Sequence, residues 1–297
     1  MAGQLLEPGD YELIKNLNLQ VRLRVSGLIT GEQRSPVQSG GIEFAEYREY
    51  QPGDDSRRID WTVFLRMHRL MIKLCAEEKE LTLILIVDTT RSMAFGQPEK
   101  LRTALRAAVI LAGVALAGGN RAAILGLGAD PVEILPPVHG RDALFRVVEA
   151  ASRVQPSVAV DPAPVLNRLA TVYGRRVLAV FLSDLLFPEW ETALRRLAAA
   201  VGCGDAGEGY LIQILAPEEL DPPYLGEITL VDMEGCGEVP LYLGAEDLSR
   251  YHRALADFLE AVHRTSQRFH MGYSLLPTAL PLARFFTANL RQGGLLA

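Results

Sequence analysis

The chain has 297 residues, 49 % of them hydrophobic, and a formal net charge of −6. That length allows one large domain or two small ones around a sizeable core, and the negative balance argues against broad nucleic-acid binding, which needs a basic surface. Cys75, Cys203 and Cys236 show no metal-ligand spacing and no secretory signal precedes them, which points to reduced thiols in a cytoplasm. The first elements then follow in order. Leu13, Leu17 and Val21 recur at helical spacing and predict a helix from about Tyr11 to Val25. Gly27, Gly31 and the run Ser35 to Gly41 break it into a loop. Ile42 to Tyr50 reads as a strand, Gln51 to Asp55 as a Pro-Gly turn, and Arg69 to Ala76 as a further strand. Residues 1–77 are thus expected to form an N-terminal helix and a small, charged, β-rich segment packed on a main domain at 78–297.

Leu81 to Val87 is an uninterrupted apolar run, rich in β-branched residues and short enough for a strand buried on both faces. A helix from Pro98 to about Ala117 follows, and Gly118-Gly119 stops it. It contains Arg102 and Arg106 and is too short to span a bilayer comfortably. A strand at Arg121 to Gly128 and a second at Val132 to Pro137 are close enough for an antiparallel hairpin. Helices are expected at about Arg141 to Arg153 and Pro162 to Tyr173. Arg176 to Leu182 is a second wholly apolar strand, followed by a helix at Glu189 to Val201 and a strand at Tyr210 to Leu215. Ile228 to Leu243 reads as a hairpin with a Gly-rich turn. A helix at Ala245 to Arg268, a strand at Gly272 to Leu276 and a helix at Pro281 to Leu290 complete the pattern. Strands alternating with helices in this way define a doubly wound, mostly parallel α/β sheet.

Two stretches carry chemistry. The first is Asp88, Thr90 and Ser92, at alternate positions just past the strand that begins at Leu81. In extended chain such residues point the same way. One carboxylate and two hydroxyls there suit a hard cation such as Mg²⁺, at the strand edge where open α/β sheets place ligands. The bland reading is a polar loop that caps the next helix. Asp184 repeats the geometry at the end of the second apolar strand, so the two distant carboxylates could share one site; its bland reading is again a helix cap. The second stretch is Pro52 to Trp61 with Arg66 and Arg69, dense in charges of both signs. It reads either as a local salt-bridge network that fixes a loop or as a contact surface, since Arg and Trp are enriched in binding hot spots. Asp54, Asp55 and Asp60 would repel a polyanion, so nucleic acid is disfavoured there. The five histidines are dispersed and form no triad.

The run from Gly40 to Met93 closely resembles the bacterial family called domain of unknown function 58, which is similar to von Willebrand factor A (vWA) domains. The matching residues are the Pro-Gly-Asp-Asp turn at Pro52 to Asp55, the Arg-x-Ile-Asp-Trp segment at Arg58 to Trp61, Leu65-Arg66, and the strand-end motif Asp88 to Met93. The likeness extends from about Gly27 to the end of the chain. It implies a Rossmann-like sheet with a metal-ion-dependent adhesion site, in which three loops hold Mg²⁺ and a partner's carboxylate completes the shell. Asp88, Thr90 and Ser92 match the first loop and Asp184 the third. The second loop departs: Val160 stands where a Thr is expected, with Asp161 beside it as a substitute ligand. Weak Mg²⁺ binding by a degenerate site is the expectation. The charged block implies a partner-binding or structural role for Asp54, Asp55, Arg57, Arg58, Asp60, Trp61 and Arg66.

The resemblance also implies association with a MoxR-type AAA+ ATPase. The function expected is therefore a non-enzymatic adaptor or assembly factor, cytoplasmic and without a membrane segment. The alternative is a metal-dependent hydrolase using Asp88 and Asp184. That chemistry needs a general base or an activated nucleophile near the metal, and no histidine is predicted near those strand ends.

Overall fold

A computed structural model of the chain describes residues 5–20, 44–51, 56, 59–75, 81–128, 133–158, 165–166, 169, 177–203, 207–231, 233 and 237–297. The chain divides into two units, one of residues 33–80 and one of residues 1–32 with 81–297. In chain order, helix α1 (Pro8–Asn16) belongs to the larger unit. Strand β1 (Phe44–Glu49), helix α2 (Trp61–Met67) and strand β2 (Met71–Cys75) form the smaller one. There β1 and β2 pair antiparallel, with an irregular register between Phe44 and Glu46.

The larger unit is built on a six-stranded sheet. Strand β3 (Thr82–Asp88) leads through helix α3 (Lys100–Ala117) to β4 (Arg121–Leu127), and β5 (Glu133–Val138) turns back antiparallel on β4. Helix α4 (Leu144–Ser152) follows, then β6 (Val177–Ser183), helix α5 (Trp190–Val201) and β7 (Glu208–Leu215). A single turn of helix, α6 (Pro217–Leu220), precedes the hairpin of β8 (Gly226–Val231) and β9 (Glu238–Leu243). Helix α7 (Ala245–Arg268), strand β10 (Met271–Pro277) and helix α8 (Leu282–Arg284) close the unit. The sheet order is β10-β7-β6-β3-β4-β5, and every pairing in it but β4–β5 is parallel. This is the doubly wound, mostly parallel α/β arrangement expected from the alternation of strands and helices.

The residues of β3 show why the sheet forms where it does. Leu83, Leu85 and Val87 enter the apolar cluster that contains α3, while Ile84 and Ile86 enter the cluster on the opposite face with Leu194 and Leu197 of α5. Alternate side chains of a strand point to opposite faces, so a strand covered on both sides must be apolar throughout. Helix α3 is buried along nearly its whole length, because the sheet lies on one side of it and α1 and α4 pack against it. Its alanines suit both helix formation and close approach.

The predicted elements differ from the structure at several points. Helix α1 begins three residues earlier than expected, at Pro8, and ends at Asn16; Val21 and Val25 lie outside the described residues. It packs on α3 through Leu13, Ile14 and Leu17, so the helix groups with the sheet rather than with the charged segment, and residues 1–77 do not form one part. Pro98 stands in the turn before α3 and not in its first helical turn. The last helix is one short α turn followed by a π-helical stretch, Phe285–Leu290. Phe285, Phe286 and Leu290 are all buried, and the wider π turn brings residues four and five apart toward the same side. Of the helix expected at Pro162 to Tyr173, only 165–166 and 169 lie among the described residues. No described helix is long and apolar enough to cross a membrane.

Candidate functional site

Strands β3 and β6 lie side by side in parallel, with Val87 opposite Leu182. From β3 the chain winds to β4 on one side, and from β6 it winds to β7 on the other. Their carboxyl ends are therefore the switch point of the sheet, where doubly wound folds open a crevice. Asp88 ends β3, and Ser183-Asp184 end β6. The structure thus brings together the first-loop and third-loop residues singled out in the sequence.

Asp88 is 1 % exposed and both of its carboxylate oxygens accept hydrogen bonds. Oδ1 takes the Thr90 N–H at 3.0 Å and the Thr90 hydroxyl at 2.7 Å, and Oδ2 takes the Ser183 hydroxyl at 2.6 Å. Thr90 Oγ1 and Ser92 Oγ lie 2.9 Å apart. The Thr90 proton is committed to Asp88, so Ser92 donates to Thr90 in turn. Burial, reinforced by the charge of Asp184, pushes the Asp88 carboxyl up from 3.8 to about 6 against the opposing hydrogen bonds. The next residue, Thr89, ties the loop to its neighbours. Its N–H and hydroxyl both reach the Leu127 carbonyl, and its own carbonyl accepts the Ser157 N–H at 2.7 Å. Val160 and Asp161, the second-loop positions, lie outside the described residues that follow Ser157.

Asp184 is also 1 % exposed. Its Oδ1 accepts the Leu186 N–H at 3.0 Å, and its Oδ2 accepts the ammonium of Lys100 at 2.7 Å. The Leu185 N–H between them bonds Ser183 Oγ at 2.9 Å. Leu185 is fully buried with φ +60°, a left-handed conformation that costs a leucine of order 1 kcal/mol. Side-chain hydrogen bonds to the backbone at 185 and 186 hold the loop in that strained shape.

Lys100 is the residue that the sequence reading did not single out. It is 0 % exposed, and its Nζ bridges Asp184 Oδ2 to Glu219 Oε1, the latter at 2.5 Å. The Phe95 ring lies 5.8 Å from Nζ. Glu219, on α6, turns its other oxygen to the Ala216 N–H at 2.8 Å. Burial pushes Glu219 upward from the ordinary carboxylate range, against the pull of Lys100. Gly96 allows this closure: it has φ +95°, and any Cβ there would overlap the Ala216 methyl. A signal was available in the sequence. Lys100 is the first residue of a helix, where a cation opposes the macrodipole. Glu219 gave no such signal, because a one-turn helix leaves no periodic pattern.

A divalent ion fits these residues poorly. Asp88, Thr90 and Ser92 are joined to one another by hydrogen bonds, and Asp184 is already occupied by Lys100. A +2 ion placed on Asp184 about 4 Å from the Lys100 ammonium would be repelled by about 8 kcal/mol at an effective dielectric of 20. Among the described residues, no three His, Cys, Asp or Glu side chains are grouped to hold a metal ion.

In the smaller unit, Asp60 has a structural role. Its Oδ1 accepts the N–H groups of Thr62 at 2.9 Å and Val63 at 3.2 Å, capping α2. Its N–H pairs with the Met71 carbonyl, and Ile59 bridges Ile72. Asp60 is half-buried, whereas Arg66 is exposed in the last turn of α2, where its charge complements the dipole. Trp61 is 59 % exposed, with Leu65 one turn on also exposed. Asp54, Asp55, Arg57 and Arg58 lie outside the described residues.

A doubly wound α/β domain with two buried acids at its switch point is the class that fold and site define. The chain belongs to the family described as Protein of unknown function DUF58, which matches residues 46–257. It is 30 % identical over 240 residues to uncharacterized proteins of Mycobacterium tuberculosis (strain H37Rv) and Mycobacterium bovis, spanning 79 % of this chain and 74 % of each relative. Among solved structures it is similar to the conserved hypothetical protein BatB from Bacteroides thetaiotaomicron, at 12 % identity and a TM-score of 0.41, over 71 % of this chain and 99 % of that one. An aerotolerance-related membrane protein from Bacteroides fragilis matches at 14 % identity and a TM-score of 0.35, over 58 % and 87 %.

Proposed function

We propose that the chain is a non-enzymatic protein-interaction module, an adaptor or assembly factor that works in the cytoplasm with a MoxR-type AAA+ ATPase through the strand-end site. The observation that carries this reading is the hydrogen-bonded chain from Ser92 through Thr90 to Asp88, joined to Ser183 of β6. It holds the loop at the switch point rigid from beneath, with the buried Asp88 fixing Thr90 and the partly exposed Ser92, and rigidity lowers the cost of binding. Hydrolysis is less well served. The Asp184 carboxylate is tied to the Lys100 ammonium, which lowers its basicity toward water. Cys203 is not a nucleophile either, since burial pushes its thiol up to about 11. Trp61 and Arg66, exposed on α2, supply a second contact surface, while Asp60 shapes the helix that presents them.

The test is binding of the purified chain to a MoxR-type ATPase from the same organism, for the native chain and for Asp88→Asn. The substitution keeps the shape of the loop and removes its charge. Affinity should fall about tenfold or more, the usual scale for a central interface residue. Equal affinity for a folded Asp88→Asn chain would move the interface away from the strand ends.

A further inference from the structure

We infer that Lys100 is the resident cation of the strand-end site and does there the work that a divalent ion does in a metal-dependent adhesion site. Asp184 at the end of β6 and Glu219 of α6 both meet the Lys100 ammonium, and Asp88 at the end of β3 lies near enough to feel the charge of Asp184, all of them largely removed from water. Such a cluster is untenable without positive charge, because buried charges must be paired or coordinated. The chain supplies that charge from α3. The Lys100 ammonium is fully buried, contacts Asp184 at 2.7 Å and Glu219 at 2.5 Å, and faces the Phe95 ring.

Two features show that the placement is built rather than incidental. Lys100 occupies the helix end that disfavours a cation, and a lysine with no exposed surface is rare unless paired. Glu219 is aimed by its bond to the Ala216 N–H, and Tyr251 of α7 donates to the Glu219 carbonyl at 2.5 Å. Gly96 permits the backbone approach that seats Lys100 against this turn. The ammonium occupies an oxygen of the acid that matches the third metal-binding loop. The site is therefore complete without a metal, and removing the lysine should convert it into one that takes a divalent cation. This holds whatever partner the surface engages.

The experiment compares the native chain with Lys100→Met, which keeps the side-chain length and removes the charge. Mn²⁺ and Mg²⁺ are titrated by calorimetry, and melting is followed with excess Mg²⁺ or with chelator. The native chain should melt at the same temperature in both and bind Mg²⁺ no tighter than millimolar. Lys100→Met should melt lower in chelator, regain about 5 °C in saturating Mg²⁺, and bind Mn²⁺ roughly tenfold or more tighter than the native chain. Glu219→Gln, which leaves Lys100 on Asp184, should remain indifferent to metal. A native chain that binds Mg²⁺ tightly or loses stability in chelator would overturn the inference, and that measurement decides alone if Lys100→Met is insoluble. A folded Lys100→Met with no response to either metal would also overturn it.

Discussion

Asp88 holds its proton up to about pH 6, where an ordinary aspartate holds it to 3.8. The unfolded chain therefore releases this proton first. Between the two values the folded state binds more protons than the unfolded one, and stability falls as pH rises. The contribution is fully present below 3.8 and fully lost above 6, a change of about 3 kcal/mol. Asp88→Asn cannot ionise. Its carbonyl oxygen still accepts from Thr90, and its amide can donate to Ser183 Oγ once the serine proton turns away. Urea unfolding at about pH 4 and about pH 7.5 should show native stability falling relative to the variant, with the variant the more stable at the higher pH. A less stable Asn variant at about pH 7.5 would mean that the Asp88 carboxylate is better solvated than its burial indicates. Stability gained at the expense of binding is the signature of a residue kept for function.

Helix α1 is fixed to α3 by charge as well as by apolar contact. The Arg106 guanidinium meets Asp10 through Nε at 2.8 Å and Nη2 at 2.9 Å, and Glu7 through Nη1 at 2.5 Å. Asp10 is buried, and its carboxylate also closes a capping bond to the Glu7 N–H at 2.8 Å. Arg106→Ala would leave Asp10 buried without its cation, at a cost of about 3 kcal/mol. Hydrogen exchange should show residues 8–16 losing protection while β3 and β6 keep theirs. Retained protection in α1 would assign its docking to Leu13, Ile14 and Leu17 alone. These contacts also explain what the sequence made legible. Strands β3 and β6 were readable because both faces are covered and every position is apolar. Helices α3 and α7 end where expected, α3 at Ala117 before the glycine pair and α7 at Arg268. The start of α1 was hidden because its amphipathic pattern is weak and its position is set by Arg106, 96 residues from Asp10. Asp88 and Asp184 could be read as a pair because each ends an apolar strand. Lys100 and Glu219 could not, since their meeting depends on a turn after β7 that local spacing does not encode.

At the scale of the whole chain the two units differ in what holds them. The larger has apolar clusters on both faces of its sheet. The smaller, residues 33–80, shows a two-stranded ladder and a seven-residue helix, with Ile72 the one fully described apolar side chain in it that is buried. A two-stranded ribbon is marginal on its own. The only two tryptophans report on the units separately, Trp61 on α2 of the smaller and Trp190 on α5 of the larger. Trp190 is half-buried and packs edge-to-face on Phe258 of α7 at 5.7 Å, whereas Trp61 is mostly exposed. Single-tryptophan chains, Trp61→Phe and Trp190→Phe, therefore separate the two signals. Acrylamide should quench Trp61 more strongly than Trp190 in the native state. On heating, the Trp61 signal should change first, and the Trp190 signal should follow with the loss of far-ultraviolet dichroism. Two-state unfolding requires that all probes coincide, so a single shared midpoint would show that the charged segment folds and unfolds as part of the sheet unit.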